Sequence, residues 1–248
     1  MFGNRVKLFE LFGFSVHLDT SWVVIALLVT WSLATGYLPD RFAGFSPLTY
    51  WIMGVIGAAG LFLSIVFHEF CHSLVARSYG MEMKGITLFL FGGIAEMGSE
   101  PTRPKVEFLM ALAGPVSSIV LGFFFYGLLL LLTAAGLPPV FAGIFGYLAF
   151  VNWLIAGFNL LPAFPLDGGR ILRSALWQWK KDLLWSTRIV SWLGAGFGIV
   201  LMALGVVSFL AGFPIVGMWY FLIGLFLHRA ARHSYRKMQK DNASDRPK

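Results

Sequence analysis

The chain has 248 residues, 58% of them hydrophobic and only 12% charged, with a mean hydropathy of +0.76. A soluble domain carries about 25% charged residues, so this composition excludes a soluble globular enzyme and places the chain among polytopic membrane proteins. The formal charge of +7 does not point to nucleic acid, because the cations sit between apolar runs and form no basic face on a soluble fold.

The N-terminal stretch MFGNRVKLFELFGF lacks the apolar core and small-residue cleavage site of a signal peptide. The first spanning helix is therefore expected to drive insertion and to stay. Apolar runs of roughly 20 residues, long enough to cross a bilayer, recur near 20–38, 51–76, 108–134, 141–162, 187–211 and 214–231. Trp22, Trp51, Trp185 and Trp219 lie near run ends, as interfacial aromatics do. Of the 19 lysines and arginines, only Arg41 falls in a connection on the opposite side from all the others. The positive-inside rule then puts both termini in the cytoplasm. The stretch after about residue 233 is polar and reads as a frayed or disordered tail. The single cysteine, Cys71, excludes an intramolecular disulfide.

Between the second and third runs lies MEMKGITLFLFGGIAEMG, Met81 to Gly98, which is apolar but short and interrupted by glycine. Ile86 to Phe91 has strand-like composition and Gly92-Gly93 is a turn signal. A β-hairpin dipping into the membrane is expected, since irregular backbone at that depth needs protein or water around it. The fold class is thus an all-α polytopic membrane protein, with about six transmembrane helices and a small membrane-dipping β-hairpin. Glu96, Glu100 and Glu107 are read as solvated or interfacial. The Gly194/Gly198 spacing is read as plain helix packing.

The second run carries the sequence FHEFCH, with His68, Glu69 and His72. Histidines at i and i+4 share one helix face, where two imidazoles can grip one zinc ion. The glutamate after the first histidine can act as a general base. By helical rise, His68 and His72 lie roughly 14 and 8 Å from the level of Arg77, below the cytoplasmic surface. Ionisable groups are costly there, so a functional site is the default reading. A catalytic zinc usually has three protein ligands. His17, His228 and His233 lie at or beyond run ends and fit poorly. The strongest candidate is Asp167 in FNLLPAFPLDGGRILRSALW, where Pro162 and Pro165 should break the fourth run. The competing reading is that Asp167 caps a helix starting near Gly169.

HEFCH, followed about a hundred residues later by NLLPAFPLDGG, resembles the site-2 protease family of intramembrane zinc metalloproteases. Asn159, Pro162, Asp167 and Gly168 match the second family motif, and FGGIAEM and EFLMALAGP resemble further segments. The resemblance covers roughly residues 15–175. It implies one Zn2+ per chain held by His68, His72 and Asp167, with Glu69 as general base and acid. It implies that Asn159 helps hold substrate or stabilise the oxyanion. The implied reaction is cleavage of a peptide bond within or near the transmembrane helix of a membrane-anchored, single-span protein substrate. In these terms residues 1–233 form one transmembrane protease domain, core about 15–175, and 234–248 a polar cytoplasmic tail. Because the loops and the tail are short, neither the PDZ domain of some relatives nor the CBS module of others is expected in this stretch. Access control would then fall to a regulatory membrane partner, prior cleavage of the substrate or a lipid-facing gate. A divalent-metal transporter using the same histidines and aspartate is the alternative, since broken helices and buried carboxylates suit transporters also.

Overall fold

The computed structural model describes residues 5–11, 13–89, 92–97 and 101–244. An N-terminal hairpin, β1 (Arg5–Leu11) and β2 (Phe14–Asp19), leads into helices α1 (Ser21–Arg41) and α2 (Pro47–Ser78). A second pair of strands follows, β3 (Met83–Phe89) and β4 (Gly92–Met97). The rest is helical: α3 (Pro104–Ala134), α4 (Pro139–Asn159), α5 (Asp167–Lys180), α6 (Leu183–Leu210) and α7 (Pro214–Ser244). All but α5 are long and apolar enough to cross a membrane, giving six candidate spans where the sequence predicts six.

Local chemistry sets the helix ends. Ser46 caps α2, its hydroxyl accepting from Thr49 N at 3.2 Å, with Pro47 at the first helical position. Asp182 caps α6 in the same way, accepting from Trp185 N at 2.9 Å. Gly80, just beyond α2, takes a positive φ of 75° that a side chain would resist. At 32 residues α2 is about 48 Å long, more than the hydrocarbon thickness, so it extends past the apolar layer.

The chain forms two compact units, Met1–Glu100 with Ala113–Gly157, and Pro101–Leu112 with Phe158–Lys248. In the first, the four strands form one sheet in the order β1-β2-β3-β4. The pairings are antiparallel, parallel and antiparallel in turn. Phe14, Val16 and Ile86 are buried from the sheet against Val66 and Phe70 of α2. The Phe14 and Phe70 rings meet edge to face at 5.7 Å, and the Arg77 guanidinium lies 4.9 Å over Phe14. The sheet is thereby fixed to the helix that carries HEFCH. A second cluster, including Leu33, Tyr50, Met53, Tyr147 and Val151, joins α1, α2 and α4.

In the second unit, Leu166, Leu201 and Leu227 bury against one another, with Phe158, Phe197 and Ile223 packed around them. Helices α6 and α7 meet at glycines: a Cβ on Gly198 would strike the backbone of Gly224 and His228. The expected role of Gly198 as a plain helix contact is what the structure shows, an intrachain one.

Three details differ from the sequence reading. The hairpin expected within 81–98 is half of a four-stranded sheet, because Arg5–Leu11 and Phe14–Asp19 are themselves strands. Gly92 and Gly93 open β4 and do not form the turn, and residues 90–91 fall outside the described residues. Helix α7 also runs on to Ser244, past the polar boundary near 233. Its Ala, Arg, Lys, Met and Gln residues favour helix despite their polarity.

Candidate metal centre

His68 and His72 sit one helical turn apart on α2, 3% and 4% exposed. Their ring centroids are 4.8 Å apart and the planes nearly perpendicular at 80°. His68 Nδ1 lies 2.9 Å from the Ser118 hydroxyl of α3, itself fully buried. In the tautomer in which Nδ1–H donates to Ser118, Nε2 is the nitrogen that carries the lone pair a metal would take. Both Nε2 atoms face Gly114 of the same helix. A Cβ there would lie 2.5 Å from His68 Nε2 and still closer to His72 Nε2. The missing side chain keeps the space beside both ligand nitrogens open.

Asp167 reaches its place by a different local route. Helix α4 stops at Asn159, and residues 160–166, with Pro162 and Pro165, separate it from α5. Asp167 is the first residue of α5, and the cap position belongs to Leu166, which makes no side-chain cap bond. The capping reading of Asp167 therefore does not describe its position. Gly168 and Gly169 are needed for room: a Cβ on Gly169 would lie 2.5 Å from Phe164 N, and one on Gly168 would overlap the Leu160 and Leu161 carbonyls. The turn can fold tightly onto the helix start only because both lack side chains. Asp167 is 7% exposed, and a helix N-terminus favours the charged carboxylate that ligates metal.

One ligand atom from each of His68, His72 and Asp167 lies within 4.8 Å of the others, and all three residues are buried. Zinc binds nitrogen and oxygen ligands at about 2.0–2.2 Å, so one ion can join donors some 4 Å apart. Two imidazoles and one carboxylate are a zinc donor set that leaves a fourth position open. The residues present fit that ion. Glu69, half-buried, follows His68 directly, and its carbonyl accepts from Ser73 Oγ at 3.0 Å. Asn159 is the last residue of α4 and is half-buried.

The other histidines lie elsewhere. His17 is in β2, and both His228 and His233 are in α7, with His228 Nδ1 3.1 Å from the Ala195 carbonyl. Ser118 and Gly114 escaped the sequence reading, although both lie in or beside the AGP segment it singled out. Nothing in their residue types announces a contact with an imidazole. Glu107 is a correction: read as solvated or interfacial, it is fully buried and paired with Arg173. Glu100 falls outside the described residues.

The model of the family described as Peptidase family M50 matches residues 56–143 and 138–204. Rip3 of Mycobacterium tuberculosis is 39% identical over 229 residues, covering 92% of this chain and 58% of that protein. The protein sll0528 of Synechocystis is 42% identical over 236 residues, covering 95% of this chain and 61% of that protein. Both carry names describing zinc metalloproteases. The chain spans about three fifths of the length of these curated relatives. A solved site-2 protease from Methanocaldococcus jannaschii superimposes with a TM-score of 0.62 at 27% identity, covering 93% of this chain and 94% of that one.

Proposed function

The chain belongs to peptidase family M50, and from that premise we propose that it is an intramembrane zinc endopeptidase. Its substrate is a single-span membrane protein, cut within or near the transmembrane helix. The observation that carries this reading is the buried His68, His72, Asp167 cluster with Glu69 beside it.

Zinc bound there would supply a Lewis acid that polarises the scissile carbonyl and makes water acidic near neutral pH. His68 and His72 present the two imidazoles, with Ser118 fixing the His68 ring. Asp167 contributes charge as well as a ligand atom. Glu69 is not a ligand in this scheme. It takes the proton from the attacking water and delivers it to the leaving amine nitrogen. Asn159 offers an amide donor to the charge that develops on the carbonyl oxygen.

A substrate helix shields its carbonyls by internal hydrogen bonds and must open locally before attack. An extended substrate needs new partners for its freed backbone groups, and a strand edge supplies them. Strand β3, which carries Ile86, is paired on both sides and offers no such edge. Among the described residues the outer strand of that hairpin is β4, so we assign the edge to Gly92–Met97. The charge distribution supports cytoplasmic termini and a site below the cytoplasmic surface. The transporter alternative draws no support from the family match.

The test is incubation of the purified chain with single-span membrane proteins. Cleavage by wild type, its loss with chelator, and its loss in a Glu69→Gln variant that still holds zinc would support the reading. Cleavage that persists in Glu69→Gln would defeat it.

A further inference from the structure

The second unit holds a buried ion pair that the scheme above does not use. Glu107 lies in the first turns of α3, and Arg173 lies in α5, six residues beyond Asp167. Their side chains are 0% and 2% exposed. Arg173 Nε donates to Glu107 Oε1 at 2.6 Å, and Arg173 Nη2 meets the same oxygen. The guanidinium also lies 5.2 Å over the ring of Phe164. Phe164 belongs to the turn that delivers Asp167, and its N–H donates to the Val190 carbonyl at 3.2 Å.

Stability is a weak reason for such a pair. Replacing a buried ion pair with well-packed apolar residues is often neutral or stabilising. Arg173 Nε and Nη2 both meet Glu107 Oε1 while Oε2 makes no hydrogen bond among the described residues, so the pair lacks the two-oxygen fork that gives arginine its strongest geometry. What the pair does provide is direction. It ties α5 to the N-terminal end of α3, while the face of the same guanidinium holds Phe164. The helix carrying Asp167 and the turn before it are thus fixed by one side chain.

We propose that Glu107 and Arg173 are positioning residues for Asp167, setting where its carboxylate stands and so how tightly the chain holds zinc. This rests on the reading of Asp167 as a zinc ligand. Residues that orient a ligand typically change metal affinity by about 10- to 100-fold when replaced.

The test uses the full purified chain and two readouts: zinc affinity by chelator competition, and thermal unfolding of the zinc-free protein. The variants are the apolar pair Glu107→Leu/Arg173→Met, Arg173→Lys, Asp167→Ala, and the apolar pair combined with Asp167→Ala. The apolar pair should unfold close to wild type yet bind zinc about 10-fold or more weakly. Arg173→Lys should fall between, because lysine keeps the charge but loses the planar group over Phe164. In the Asp167→Ala background the apolar pair should cause no further loss, since no carboxylate remains to be misplaced. Should the apolar pair fail to fold, Glu107→Gln carries the same comparison in both backgrounds. Wild-type zinc affinity in the folded pair variant, or an equal loss with and without Asp167, would overturn the positioning role while leaving the ligand reading intact. Unchanged affinity in Asp167→Ala alone would overturn both.

Discussion

His68 Nδ1 and the Ser118 hydroxyl lie 2.9 Å apart, both residues buried, one on α2 and the other on α3. The contact makes the two ring nitrogens of His68 unequal, and it leaves Nε2 on the side of Gly114 and His72. Ser118→Ala removes that orientation without adding bulk. We predict zinc affinity about 10-fold lower, with the fold retained, measured by competition with a chromogenic chelator.

Gly114→Ala makes the opposite kind of change, placing a methyl group against both Nε2 atoms. The rings must turn or the helices must part, which costs about 1–3 kcal/mol of stability. The expected result is zinc content well below one per chain and a matching fall in cleavage, read by elemental analysis beside an activity assay. A Gly114→Ala protein with full zinc content would show that the ion sits elsewhere.

Strand β4 tests the substrate path. Proline removes one backbone donor, and along a strand successive N–H groups point alternately inward to the partner and outward. Ile94 and Ala95 are neighbours on β4, opposite Thr87 and Ile86 of β3. Substituting each with proline in turn should give one variant that weakens the sheet and one that keeps the fold and zinc but loses cleavage by about 10-fold. Full cleavage in the folded variant would remove β4 from the substrate path.

Much of this molecule is legible in the sequence. Six long apolar runs have few ways to satisfy their backbone in lipid other than as helices, and six candidate spans are found. The pair His68 and His72 is legible because helical spacing alone puts both on one face. Asp167 is legible through the prolines and glycines around it, although the glycines supply space for packing more than turn geometry. Strands β1 and β2 were missed because an amphipathic stretch before the first span reads equally well as a surface segment, and the partner strand β3 lies far along the chain. Glu107 was misread for a similar reason. A lone glutamate near a helix start looks solvated until Arg173, which contacts it only through the fold, is known. Contacts of this kind carry no local sequence signal.

The central claim is that a single ion is held jointly by HEFCH and by the distant LDGG segment. The most direct measurement is zinc K-edge absorption on the purified chain, wild type beside Asp167→Ala, with affinity from chelator competition. The account predicts two imidazoles and a carboxylate oxygen around zinc in wild type. It predicts loss of that oxygen and a large drop in affinity, about 10-fold or more, in the variant. An unchanged coordination shell and unchanged affinity in Asp167→Ala would contradict it.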